Sequence, residues 1–279
     1  MRYALLLTVC LGLLVACGGG GTGGPSGPDV VKIESNDVDP LSPTYRAVFD
    51  CTATFRVSGT ALPITVDGTL TIENEGVMVT HPVYSSREGW KVKNTLVLIV
   101  PASIRAQIPT LPETITVVVR EYVEVAVDGS WYSLGGDAED PTTDPVETYQ
   151  SWFDLPLLNL QPTMFAGQTF TSGPSDVLNE TATETLAWRQ NLRTVAQETE
   201  NVNTPLGLLE CYRATVIETV TPNVTEPQAT EILYERWERP DMGLIRMHAE
   251  GYEITVDNDG TPVTITLDSL DCTLLSLEG

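Results

Sequence analysis

Apolar and polar residues alternate with a period of two along most of the chain. Ala47, Phe49, Cys51, Ala53, Phe55 and Val57 fall on one face, against Asp50, Thr52, Thr54 and Arg56 on the other. The same rhythm runs through Ile64, Val66, Gly68, Leu70 and Ile72, and through Ile115, Val117, Val119, Val123, Val125 and Val127. Successive side chains of a strand point to opposite faces, so each of these segments is expected to bury one face and wet the other. Further strands are predicted at Val92–Val100, Tyr212–Val220, Ile232–Glu238, Leu244–Val256 and Val263–Leu267. The stretch Thr183–Glu198 fits neither the strand nor the helix period well and is read as a strand. Asp-Gly pairs at 67–68, 128–129 and 259–260 carry hairpin-turn chemistry; the first lies inside an alternating run, where a bulge would serve instead.

Long 3.6-residue periods are scarce, and successive strands with few helices imply antiparallel pairing. The fold class is therefore all-β, a large curved antiparallel sheet or half-open barrel, with two packed β-sandwiches as the alternative. The body from 29 to 279 reads as a single domain. The acidic, proline-bearing stretch Asp137–Pro156 is its one candidate for an internal boundary.

The first residues break this pattern. Arg2 precedes an apolar run from Tyr3 to Ala16, 14 residues long. A bilayer-spanning helix needs about 20, whereas the core of an export signal does not. The run ends in Leu14-Val15-Ala16-Cys17. This resembles the lipobox of bacterial lipoproteins. The resemblance implies that residues 1–16 are removed and that the Cys17 thiol takes a diacylglyceryl group, the covalent lipid being the only added group expected. Two or more acyl chains hold a protein stably to a membrane, and one does so only marginally. Gly18 rather than Asp follows Cys17. By the same resemblance this permits transfer to the outer membrane, if the cell has one. Residues 18–28, GGGGTGGPSGP, cannot pack and form a tether with a reach of about 18 Å. They contain no lysine, so they are not a phosphate loop.

Charge narrows the partners. With 38 acidic and 15 basic residues the chain carries −23, so nucleic acid is excluded as a partner. The acidic body also repels anionic lipid, leaving the acyl chains to hold the membrane. At 42% hydrophobic residues the chain is no disordered acidic tail.

With Cys10 removed and Cys17 lipidated, three cysteines remain. Cys51 and Cys272 each lie on the apolar face of a strand, and Cys211 does not. If the first and last long strands meet, a Cys51–Cys272 disulfide is favoured in an oxidising envelope space; three buried thiols are the alternative.

Gly207-Leu208-Leu209-Glu210-Cys211-Tyr212-Arg213, then Tyr234-Glu235-Arg236-Trp237, then Pro240-Asp241-Met242-Gly243-Leu244-Ile245-Arg246 resemble a group of exported bacterial β-proteins of uncharacterised function. Their pattern is Gly-x-Phe-x-Cys-Tyr followed by a Pro-x-x-Gly-Leu-Ile/Val-Lys/Arg hairpin. The resemblance covers roughly residues 165–250 and departs from the pattern at Leu209, where Phe is common. It implies a sheet curved around an apolar hollow and brings no catalytic residue. Tyr212, Trp237 and Met242 are read as core.

Catalytic chemistry is sparse. His81 and His248 are far apart in sequence and read as half-exposed strand residues, and no zinc spacing or nucleophile elbow is present. Asp137, Glu139, Asp140 and Asp144 fall in one presumed loop, and Asp37 and Asp39 in another, offering hard oxygen ligands for calcium or simply a solvated acidic surface. Glu121 interrupts the apolar face between Val119 and Val123. It is either buried with a raised pKa or turned outward by a bulge. Two functions follow. The first is a non-enzymatic, lipid-anchored envelope module that binds an apolar ligand or a protein partner. The second is an envelope hydrolase or calcium-dependent carbohydrate binder.

Overall fold

A computed structural model describes residues 30–32, 42–58, 63–106, 112–140, 146–160, 163–222, 230–239, 242–258 and 261–278. Cys17, the tether, Asp37, Asp39, Asp144, Pro240 and the Asp259-Gly260 pair lie outside the described residues. The first half holds β1 (Val30–Lys32), β2 (Arg46–Val57), β3 (Ile64–Thr80), β4 (Glu88–Ile99), β5 (Thr114–Val125), β6 (Trp131–Asp140) and β7 (Glu147–Leu160). Short strands β8 (Thr163–Phe165), β9 (Thr169–Ser172) and β10 (Ser175–Leu178) lead to the long β11 (Thr185–Thr204) and β12 (Gly207–Pro222). Next come β13 (Thr230–Arg239), β14 (Gly243–Glu250), β15 (Tyr252–Asn258) and β16 (Thr261–Glu278). Among the described residues the only helix is one turn, α1 (Ala102–Arg105).

One antiparallel sheet of 14 strands dominates, running β10-β7-β6-β5-β4-β3-β2-β16-β14-β13-β12-β11-β9, with β15 paired to β16. It is all-β and strongly curved, and it does not close fully. Its flanks β7 and β11 are tied through β10, which pairs with two residues of β7 and four of β11. The half-open barrel describes this better than two separate sandwiches.

The period-two faces explain the curvature. Ala47, Phe49, Cys51 and Ala53 are all buried, and so are Val66, Leu70 and Ile72 beside them. One contiguous core cluster draws on β2–β6, β9, β11–β14 and β16. Curling the sheet lets both wings bury their apolar faces against each other, which a flat sheet cannot do. The first and last long strands meet: Cys51 sits opposite Cys272, with their Cα atoms 4.1 Å apart, and a disulfide joins them. Cys211 is buried and carries a thiol.

Three local expectations change. Leu244–Val256 is two strands, because Gly251 takes φ +83° and breaks the run. Asp67-Gly68 is neither turn nor bulge. Both residues pair in regular register, and a Cβ on Gly68 would lie 2.4 Å from the Val97 carbonyl oxygen. Glycine there admits a close backbone approach. Asp137 and Glu139 are strand residues of β6, paired with Gln150 and Thr148 of β7, rather than members of a loop. Asp128-Gly129 does form the β5–β6 turn, with Gly129 at φ +84°.

Candidate functional site

Two polar clusters lie on opposite faces of the sheet. The inner one starts with Glu121. Its neighbours Val119 and Val123 face the core, and Glu121 stays with them at 1% exposure. A bulge does occur nearby, between Tyr122 and Val123 in the β5–β6 register, but it leaves the carboxylate pointing inward. Glu121 pairs with Gly136 on β6, which puts no side chain in the way. Asn159 of β7 donates from Nδ2 to Glu121 Oε1 at 2.9 Å.

From the other wing, Arg236 of β13 donates from Nη2 to the Asn159 carbonyl oxygen at 3.4 Å. Its Nε lies 3.6 Å from Glu238 Oε1, both side chains being almost wholly buried. Burial raises the Glu238 pKa, and Arg236 opposes that shift. Deeper in the same face Tyr234 donates its hydroxyl to Glu218. Asn94, fully buried on β4, has no hydrogen-bond partner at either side-chain atom. The sequence reading missed Glu218, Arg236, Glu238, Asn94 and Asn159. The signal was present for the first: Glu218 interrupts Val216 and Val220 as Glu121 interrupts its valines.

The outer cluster gathers two of the predicted calcium ligands around a cation instead. Arg120 on β5 reaches Glu75 through Nε at 3.0 Å, Asp137 through Nη1 at 3.1 Å and Glu139 through Nη2 at 2.7 Å. Lys91 lies 2.9 Å from the second oxygen of Asp137. That oxygen also accepts from the Tyr122 hydroxyl at 2.7 Å. A metal at Asp137 would have to displace two cations. Burial and the neighbouring Asp137 charge raise the Tyr122 pKa well above the ordinary phenol, keeping it a donor. Among the described residues no group of three or more His, Cys, Asp or Glu side chains is arranged to hold a metal ion. Asp140 ends β6, and nothing describes its side chain.

His81 differs from expectation, whereas His248 is the half-exposed strand residue that was expected. His81 is fully buried in the turn after β3. Its Nδ1 accepts from the backbone N–H groups of Val83 and Tyr84, each at 3.2 Å, so Nε2 carries the proton and donates to the Phe153 carbonyl oxygen at 2.8 Å. This ties the β3–β4 turn across to β7, beside Trp152 and Tyr84. Desolvation lowers its pKa. His248 is half-buried on β14, 2.9 Å from Asp271. Trp237 is buried between the guanidinium groups of Arg213 and Arg246 and packs against the core. Tyr212 and Met242 pack there too.

No protein-family model matches the chain, and no curated protein matches it. Among solved structures it is similar to a "putative exported protein with YmcC-like fold" of Bacteroides fragilis. The identity is 13%, covering 86% of this chain and 98% of that one, with a TM-score of 0.40. It is also similar to a "putative lipoprotein" of Parabacteroides distasonis, at 10% identity over 87% of this chain and 100% of that one, with a TM-score of 0.34.

Proposed function

We propose that the chain is a lipid-anchored, non-enzymatic module of the bacterial cell envelope that works through contacts with a protein partner at its surface. In a cell with two membranes its place is the outer one. One observation favours a partner over an apolar ligand: the two wings touch inside the curve. Strands β7 and β13 are separated by β10, β11 and β12 along the sheet. Arg236 nevertheless reaches the Asn159 carbonyl oxygen at 3.4 Å. Four strand spacings of about 4.8 Å would otherwise hold them roughly 19 Å apart. A single arginine side chain closes that gap, so the wings stand near the packing distance of stacked sheets, about 10 Å, with side chains between. A carrier of apolar cargo needs a hollow several hundred Å³ in volume. Here polar groups and a contiguous core occupy the middle.

Titrating the folded body with a fluorescent apolar probe tests this choice. The partner reading expects no saturable uptake, and one tight site per chain would restore the carrier reading. The anchor has its own test. Labelled palmitate should enter the full chain, and Cys17→Ser should abolish labelling and move the protein from membrane to soluble fractions. An unlabelled wild-type chain, or an unchanged fractionation of the variant, would overturn the lipoprotein reading.

A further inference from the structure

The two ends of the curved sheet are not alike. Antiparallel pairing brings the last residues of β3, β5, β7, β11 and β13 to the same end, with the first residues of β4, β6, β12 and β14. The N-terminal strand arrives there as well. Val30–Lys32 pairs with Thr163–Phe165, immediately after β7 ends at Leu160, and Leu160 pairs with Trp131 at the start of β6. The tether leading back to Cys17 therefore meets the body at this end. Its reach of about 18 Å keeps that end close to whatever surface holds the acyl chains.

The same end exposes apolar side chains. Val127 in the β5–β6 turn is 110% exposed, and Leu208 and Leu206 at the β11–β12 turn are 68% and 48% exposed. Val77 and Met78, near the end of β3, are also exposed. The β11–β12 turn is the apex of an arm. β9 pairs with β11 no further than Val195, and β13 pairs with β12 only from Tyr212 onward. Among the described residues, 200–204 and 207–211 thus have only each other as strand partners. A two-stranded ribbon is marginal in water, and this one turns two leucines outward at its tip. The opposite end shows exposed apolar residues as well, Ile99 and Val146, but the tether does not arrive there.

We infer that this end of the sheet faces the lipid, with Leu206 and Leu208 of the arm and Val127 of the β5–β6 turn resting in the headgroup layer of a membrane whose surface lipids are uncharged overall. The inference rests on the lipid-anchor reading and deepens it. Net-neutral headgroups follow from the charge of the body, about −24 from 38 acidic and 14 basic residues once Arg2 is removed, which an anionic surface would repel. Anchoring supplies the high local concentration, and the apolar tip supplies the orientation. The acidic flanks and the far end then face away from the bilayer, where a partner can reach them.

The test uses the lipidated full-length mature protein in vesicles of phosphatidylcholine and phosphatidylethanolamine. Flotation reports anchoring, and amide hydrogen exchange reports orientation. Exchange at 125–130 and 203–209 is expected to slow about tenfold on vesicles relative to detergent, with 98–101 and 146–150 unchanged. A Val127→Ser/Leu208→Ser variant, altered only at exposed positions, is expected to float as well as the wild type and to lose the slowing. Equal exchange at the two ends of a floating protein, or slowing at the far end, overturns the orientation alone. A chain that fails to float overturns the anchor reading and the orientation with it.

Discussion

Arg120 and Arg236 are the same residue type in one sheet, and their surroundings could hardly differ more. Arg120 lies on the convex face, where all three arms of its guanidinium find carboxylates and solvent reaches the edge of the cluster. Arg236 lies on the concave face with one ion-pair partner, Glu238, and one backbone carbonyl. Outside, Asp137 is buried but shares two cations, while Glu75 and Glu139 keep part of their water. Inside, each charge has lost its water. The outer cluster is consequently a clasp between strands. The inner one is a costly feature that joins the two wings.

Experiments can break this contrast, beginning with the staple behind both clusters. A Cys51→Ala/Cys272→Ala variant releases a loop of sequence separation 221, which chain-entropy arithmetic values at about 5 kcal/mol. Urea denaturation should show the loss, with both faces unfolding together. Thiol titration of the denatured, unreduced body should find one thiol, that of Cys211; three would contradict the disulfide. Next is Arg236→Met, which takes a buried cation away from Glu238 and should cost about 3–5 kcal/mol. Arg120→Met leaves Asp137 with Lys91 and Tyr122 and should cost less, about 2 kcal/mol. Equal losses for the two arginines would erase the inside–outside distinction.

Acid should act on the two faces in opposite directions, and more weakly. Burial raises the Glu238 pKa in the folded state. Its contribution is therefore fully present below the unfolded value of about 4.3 and is lost as the pH rises through the folded value. Glu238→Gln should equal or exceed wild-type stability at pH 7, with the difference shrinking towards pH 4.5; a gap that widened there would contradict the burial argument. His81 is the reverse case, since burial lowers its pKa. Its contribution is present above about pH 6.5 and is lost as the pH falls, because protonating Nδ1 removes the acceptor that two backbone N–H groups share. Thermal midpoints between pH 7.5 and 5 should fall more for wild type than for His81→Gln. Parallel curves would show that the β3–β4 turn is held some other way.

Much of the architecture was legible in the residue pattern. Alternation in β2, β3 and β5 assigns Phe49, Leu70 and Val119 to the core face, and all three are buried. The site was less legible. Asp137 and Glu139 look like calcium ligands when only neighbours in sequence are counted. Their cation partners Arg120 and Lys91 come from two other strands, Glu75 of a third strand shares Arg120, and nothing local announces them. His81 reads as half-exposed because its acceptor, the Phe153 carbonyl, lies 72 residues away.

Local chemistry settled the facing of β2, β3 and β5 and the β5–β6 turn at Asp128-Gly129, because a period of two and an Asp-Gly pair act within a few residues. Register, curvature and the meeting of the wings belong to the assembled fold. They arise from contacts such as Arg236 with Asn159 or Cys51 with Cys272, between residues distant along the chain. The free energy of such contacts exists only once the intervening strands have brought the partners together.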